Sequence, residues 1–158
     1  HASREEIINT VKKLRHYISS AFIIYSTHMM CRAGQISRKV QVMCDALLLH
    51  PVIVLRKSRM AVGSMEMGNF NHVIKGYIRK VLSRAGTIDR RILFITYAGM
   101  DEKSLQYIQE VVRQYCPFER IYLQKASSAI ACNCGPGSFG LLFMWKNEAI
   151  ISFSDIEK

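Results

Sequence analysis

Residues 127–145 read SSAIACNCGPGSFGLLFMW. Two apolar runs flank a glycine-punctuated turn, and the assignment of those runs sets the class of the fold. "SAIACN" reads as one strand and "FGLLFMW" as another, since each is a short apolar run bounded by turn residues. Glycines at 135, 137 and 140 permit positive φ and close backbone approach, and Pro136 stiffens the turn. A further run, "AIISFS" at 149–154, follows closely. Strands this near one another, joined by short turns, suit antiparallel pairing.

Upstream, helices and strands are interleaved. Ser3-Arg4-Glu5-Glu6 has the capping-box pattern, and Ile7, Val11, Leu14 and Ile18 then follow helical spacing, which predicts a leading helix within 1–18. "AFIIYS" (21–26) reads as a buried strand, and "THMMCRAGQIS" as a turn or single helical turn broken at Gly34. Ser37 caps the next helix, whose apolar face is Val40, Met43, Cys44, Leu47 and Leu48, and Pro51 forbids its continuation. Residues 52–68 form two strands around a turn near Lys57–Arg59. Asn69 or Asn71 caps a helix through Arg84, with Val73, Ile74, Tyr77, Ile78, Val81 and Leu82 inward and Gly86 at its end. "RILFITYAG" (91–99) is the clearest buried strand. Asp101 caps a helix with Leu105, Ile108, Val112 and Tyr115 inward, closed by Pro117, and "FERIYLQKA" (118–126) is again a strand. The expected fold is α+β: a two-layer sandwich with a mixed sheet, largely antiparallel at the C-terminal end, and helices on one face.

The chain of 158 residues fits one domain, 1–158, with room for a substantial core. No apolar run approaches the ~20 residues needed to span a bilayer. Five cysteines, an odd number without a secretory signal, favour reduced thiols in the cytoplasm. The formal charge of +10 would attract polyanions. The basic residues are scattered and little interleaved with aromatics, which leaves a basic nucleic-acid-binding or polyanion-binding domain as the alternative reading.

Cys132 and Cys134 form a C-x-C pair, but a zinc site needs about four ligands and no other thiol stands at metal-ligand spacing. In a strand both thiols share one face and read as small buried residues. The glycine turn could cradle an anion on consecutive N–H groups. No catalytic constellation is present: the five histidines are scattered, and no nucleophile elbow or paired carboxylates occur. Eight methionines suit either core filling or a pocket for a flexible apolar chain. The residues alone therefore point to an α+β domain with an anion or lipid site at the glycine turn.

Three ordered segments together resemble the DegV family of bacterial fatty-acid-binding proteins, which present acyl chains to a fatty-acid kinase. "YSTHMMCRAGQIS" is similar to the family's D-x-L-x-Y-L-x-R-G-G-R-I pattern through Arg32, Gly34 and Ile36. "LLLHPVIVLRKSRM" is similar to its K-P-I-L-x-x-x-D-G-x hairpin. "SSAIACNCGPGSFGLLF" is similar to its P-V-I-G-A-H-T-G-P-G-A-L-G-L-x-F signature.

The resemblance implies a lipid-binding module rather than an enzyme, with no cofactor. It also implies that this chain is the C-terminal lobe of a two-domain protein whose N-terminal α/β domain is absent. The implied ligand-binding set is Arg32, Gln35, Asn133, Cys134, Gly135 and Gly137. Within it, Arg32 is the charge partner for the carboxylate and the 135–137 turn lies beside the head group. Asn133 stands where the family has a histidine and Gln35 where it has a second arginine. Either amide can hydrogen-bond a carboxylate, but neither carries charge. A kinase partner is implied too, although "GSMEMGNF" lacks the basic residues that dock it in the family.

Overall fold

The computed structural model describes residues 3–56, 59–83 and 85–146, so the apolar run at 149–154 lies outside the described residues. Side-chain caps start the helices where the sequence places them. Ser3 and Glu6 form a full capping box on α1 (Arg4–Leu14), followed after β1 (Ile18–Ile23) by the short α2 (His28–Arg32). Ser37 caps α3 (Arg38–Ala46), Asn69 caps α4 (Phe70–Val81) and Asp101 caps α5 (Glu102–Tyr115). Each cap accepts one of the backbone N–H groups that a helix start leaves unpaired.

The strands are β1, β2 (Leu49–Arg56), β3 (Arg59–Met67), β4 (Ile88–Tyr97), β5 (Arg120–Lys125) and β6 (Phe139–Trp145). They form one open mixed sheet in the order β3-β2-β1-β6-β4-β5. The last described strand, β6, thus inserts centrally, antiparallel to both β1 and β4, while β5 runs parallel to β4. The fold is α+β.

The two longest helices bury their apolar faces on one side of this sheet. Val73, Ile74, Tyr77 and Ile78 of α4 and Leu105, Ile108, Val111 and Val112 of α5 are buried there. They form one cluster with Ala21, Ile23, Leu93, Ile95, Phe139, Leu141, Phe143 and Trp145. Burial of each large side chain is worth about 1.5–3 kcal/mol, so this layer holds the domain together. Tyr77 ties it to the central strands: its hydroxyl donates to the Ala21 carbonyl (2.6 Å) and accepts from the Leu141 N–H (3.2 Å).

The other side of the sheet is apolar as well, yet open. Strand pairing puts Phe22, Ile53 and Val62 in one row, Leu55 beside Met60, Phe94 beside Leu142, and Ile18 beside Met144. Ile18, Leu55, Met60, Val62, Met65, Met67 and Phe94 are all exposed. A central strand flanked by such a face reads as a near-continuous apolar run, which explains "FGLLFMW".

Several expectations are corrected. Residues 128–134 are not a strand: Ser128–Cys134 is a helix, α6, whose cap Ser127 accepts the Ile130 N–H and which ends at Gly135 with φ +74°. A helix turns residues 132 and 134 to different sides, so Cys132 is exposed while Cys134 is half-buried. The leading helix stops at Leu14, and Ile18 already pairs with Met144 as strand, because the alternating run Ser19, Ala21, Ile23 points into the core. On α3 the expected apolar face is exposed except at Cys44, whose buried neighbour is Gln41. Tyr115 of α5 is exposed, and Val111 takes the inward place instead. The helix expected to reach Arg84 ends at Val81, and Arg84 is outside the described residues.

Candidate functional site

The polar end of the open face is built by α2 and α6. Met30 and Ile36 around α2, and Cys134 at the end of α6, pack on Ile24 and Ile53, a small cluster separate from the main core. This anchors both short helices at one end of the exposed apolar sheet.

On that anchorage four of the expected residues gather. Gln35 Nε2 donates to Asn133 Oδ1 at 2.8 Å, joining the loop after α2 to α6 across 98 residues of sequence. Asn133 Nδ2 donates to the Ala129 carbonyl at 2.8 Å, so its amide orientation is fixed. Gly135 closes α6, and Cys134 packs beneath. Arg32 ends α2, exposed, and its guanidinium has no ion-pair or hydrogen-bond partner among the described residues. An unpaired guanidinium three residues before one member of an amide pair is chemistry suited to a carboxylate.

The glycine turn does something other than offer N–H groups. Gly135 N–H donates to the Ala131 carbonyl and Gly137 N–H to the Ala98 carbonyl. Pro136 has no N–H, so the donors of residues 135–137 are all accounted for within the chain. Both glycines have positive φ, +74° and +81°, and both are in close contact: an added Cβ would lie 2.9 Å from Met29 Cγ at 135 and 3.0 Å from the Tyr25 ring at 137. The turn is thus a packing device that draws α6 against α2.

Tyr25 and Ser138, absent from the sequence-based set, hold that device. Ser138 Oγ accepts the Tyr25 N–H (3.1 Å) and donates to the Cys134 carbonyl (2.7 Å). The Tyr25 ring stacks on buried His50 at 5.0 Å, and His50 Nδ1 donates to the Tyr25 carbonyl at 2.7 Å. Contacts this distant in sequence leave no local spacing to read.

Burial pushes the Cys134 thiol above its ordinary value, as it does for Cys44 and Cys116. These groups stay protonated, which suits packing rather than metal ligation or thiolate chemistry. Among the described residues no three or more His, Cys, Asp or Glu side chains are grouped to hold a metal ion, and no helix is long and apolar enough to cross a membrane.

Over residues 1–146 the sequence matches the family model described as "Uncharacterised protein, DegV family". The chain belongs to the DegV family. No curated protein matches it. Among solved structures it is similar to the DegV family protein of Corynebacterium glutamicum (TM-score 0.74, 15% identity, 94% of this chain and 55% of that one). It is also similar to the Fatty Acid Kinase B3 protein of Streptococcus pneumoniae loaded with linoleic acid (TM-score 0.75, 12% identity, 92% and 50%). A third is the DegV family protein of Thermus thermophilus, described for fatty acid binding (TM-score 0.64, 24% identity, 92% and 51%). At these identities the likeness is one of fold. This DegV chain spans about half the length of the relatives it matches.

Proposed function

We propose that this chain binds a long-chain fatty acid, forming one wall of the acyl site and part of its head-group mouth. The observation that carries the reading is the exposed apolar sheet face, from Ile18 and Met60 to Phe94, which ends at the polar pair Gln35–Asn133. An acyl chain laid on that face gains about 0.8 kcal/mol per buried CH₂, so the chain supplies most of the affinity and the mouth sets its direction. Arg32 offers charge to the carboxylate, Gln35 and Asn133 offer amide hydrogens, and Cys134, Gly135 and Gly137 set the floor and spacing of the mouth. Methionines at 60, 65 and 67 give the wall an adaptable surface.

In this reading the chain is the C-terminal lobe of a two-domain protein, and an N-terminal α/β domain supplies the opposite wall. The solved relatives, about twice as long, support that arrangement. The chain itself performs no chemistry. It holds the acyl group in the cytoplasm, with its carboxylate presented to a fatty-acid kinase, a partner supported by the likeness to the Fatty Acid Kinase B3 protein of Streptococcus pneumoniae.

Native mass spectrometry of the protein expressed from its whole reading frame in bacteria tests this directly. The expected spectrum contains a species heavier by one fatty acid. Only the bare mass, under conditions that keep a known lipid carrier loaded, would overturn the proposal.

A further inference from the structure

Phe22 lies half-buried on the open face of β1, opposite Gly140 of β6. Its ring covers Gly140: a Cβ added there would stand 2.3 Å from Phe22 Cδ1 and 2.9 Å from the Ala21 carbonyl oxygen. Thr96 of β4 pairs with the other side of Gly140. Phe22 and Thr96, together with Ile130 and Cys134 of α6, border a narrow, partly open cleft of only about 10 Å³. That is space for hardly one water molecule, and its walls are mostly carbon. Asn133, at the mouth, is the neighbour of Cys134 on the same helix. Helix α6 therefore borders this cleft and also carries Asn133 at the head-group end of the face.

Resting on the fatty-acid reading above, we propose that Phe22 is a specificity-determining residue that restricts the site to acyl chains unbranched near the carboxylate. Resting against Gly140, its ring fills the room beside α6 that a substituent on the first few carbons would need. An aromatic ring can lie this low only because residue 140 has no side chain. Removing the ring widens this cleft and makes space for a methyl branch, since packed regions accept added carbon only where volume exists.

Affinities for hexadecanoic acid and 3-methylhexadecanoic acid, measured on the protein expressed from its whole reading frame, test the proposal. The wild type is expected to favour the straight chain by at least tenfold. Phe22→Ala should shift the ratio at least tenfold toward the branched acid, and Phe22→Val should shift it part of the way, with thermal unfolding confirming that each variant is folded. Phe22→Val alone decides the question should the alanine variant fail to fold. A ratio unchanged in the folded variants overturns the role of Phe22 while leaving fatty-acid binding intact. A wild type that binds neither acid overturns both.

Discussion

Asn133 donates to the Ala129 carbonyl and accepts from Gln35, so its amide is oriented before any ligand arrives. It cannot titrate, whereas the histidine that the family resemblance implies at this place can. Asn133→His should therefore introduce a pH dependence of a known sign. An imidazole of ordinary pKa, about 6.5, gains charge as pH falls, and an imidazolium attracts a carboxylate. The ratio of variant to wild-type affinity for hexadecanoate should rise a few-fold between pH 8 and pH 5.5, the modest size reflecting an exposed pair. A flat ratio would remove residue 133 from the head-group site. Tyr77 tests the opposite side of the sheet. Its buried hydroxyl bridges β1 and β6, and burial pushes the phenol's pKa far up, so it stays a neutral donor. Tyr77→Phe leaves the Ala21 carbonyl and the Leu141 N–H without that partner and should cost about 1–3 kcal/mol in urea unfolding. A loss below ~0.5 kcal/mol would mean that the strands satisfy both groups without it.

Among the elements, those with a cap and a long apolar stripe were legible, since α4 and α5 announce themselves by Asn69, Asp101 and a helical period. The failures have physical causes. α6 has only seven residues, too few for a 3.6-residue period to separate from alternation. Its true signals were the Ser127 cap and the Gly135 stop, which bracket it in the sequence. On α1 and α3 the period was readable but the partner was not: Ile7, Val11, Val40 and Met43 are apolar yet exposed. The site was legible as a set of residue types and not as contacts, because the Gln35–Asn133 bond and the Tyr25–Ser138 clamp join distant segments. The cap on α5 also makes a prediction. Asp101 accepts the Ser104 N–H at 2.7 Å, and this backbone hydrogen bond holds its carboxyl below the usual range. Its contribution is complete above the ordinary aspartate value of about 3.9 and is lost as pH falls through the lowered folded value. Asp101→Asn keeps a capping oxygen without the charge. The wild type should be the more stable at pH 7 and the gap should close by about pH 2, compared by urea midpoints; a gap independent of pH would assign the cap's worth to geometry alone.

For the whole molecule, one layer of helices makes the domain stable, and the uncovered layer is the wall proposed for the acyl chain. Helices α4 and α5 close one side of the sheet, so substitutions on the other side leave the main core in place. Val62, exposed on the edge strand β3 and in row with Ile53 and Phe22, is a suitable probe of that second side. Val62→Glu at so exposed a place should change stability by no more than about 0.5 kcal/mol. Against a bound acyl chain, the same carboxylate would have to lose its water without gaining a partner. Affinity for hexadecanoate should then fall at least tenfold, as read by displacement of a fluorescent fatty acid. The matching control is Lys75→Glu on the exposed side of α4, which changes the net charge of +10 by two rather than one. If general attraction of this basic protein for anions were responsible, Lys75→Glu would weaken binding more than Val62→Glu, and both effects would vanish in high salt. If the open face is the acyl wall, only Val62→Glu weakens it, and salt leaves the loss in place.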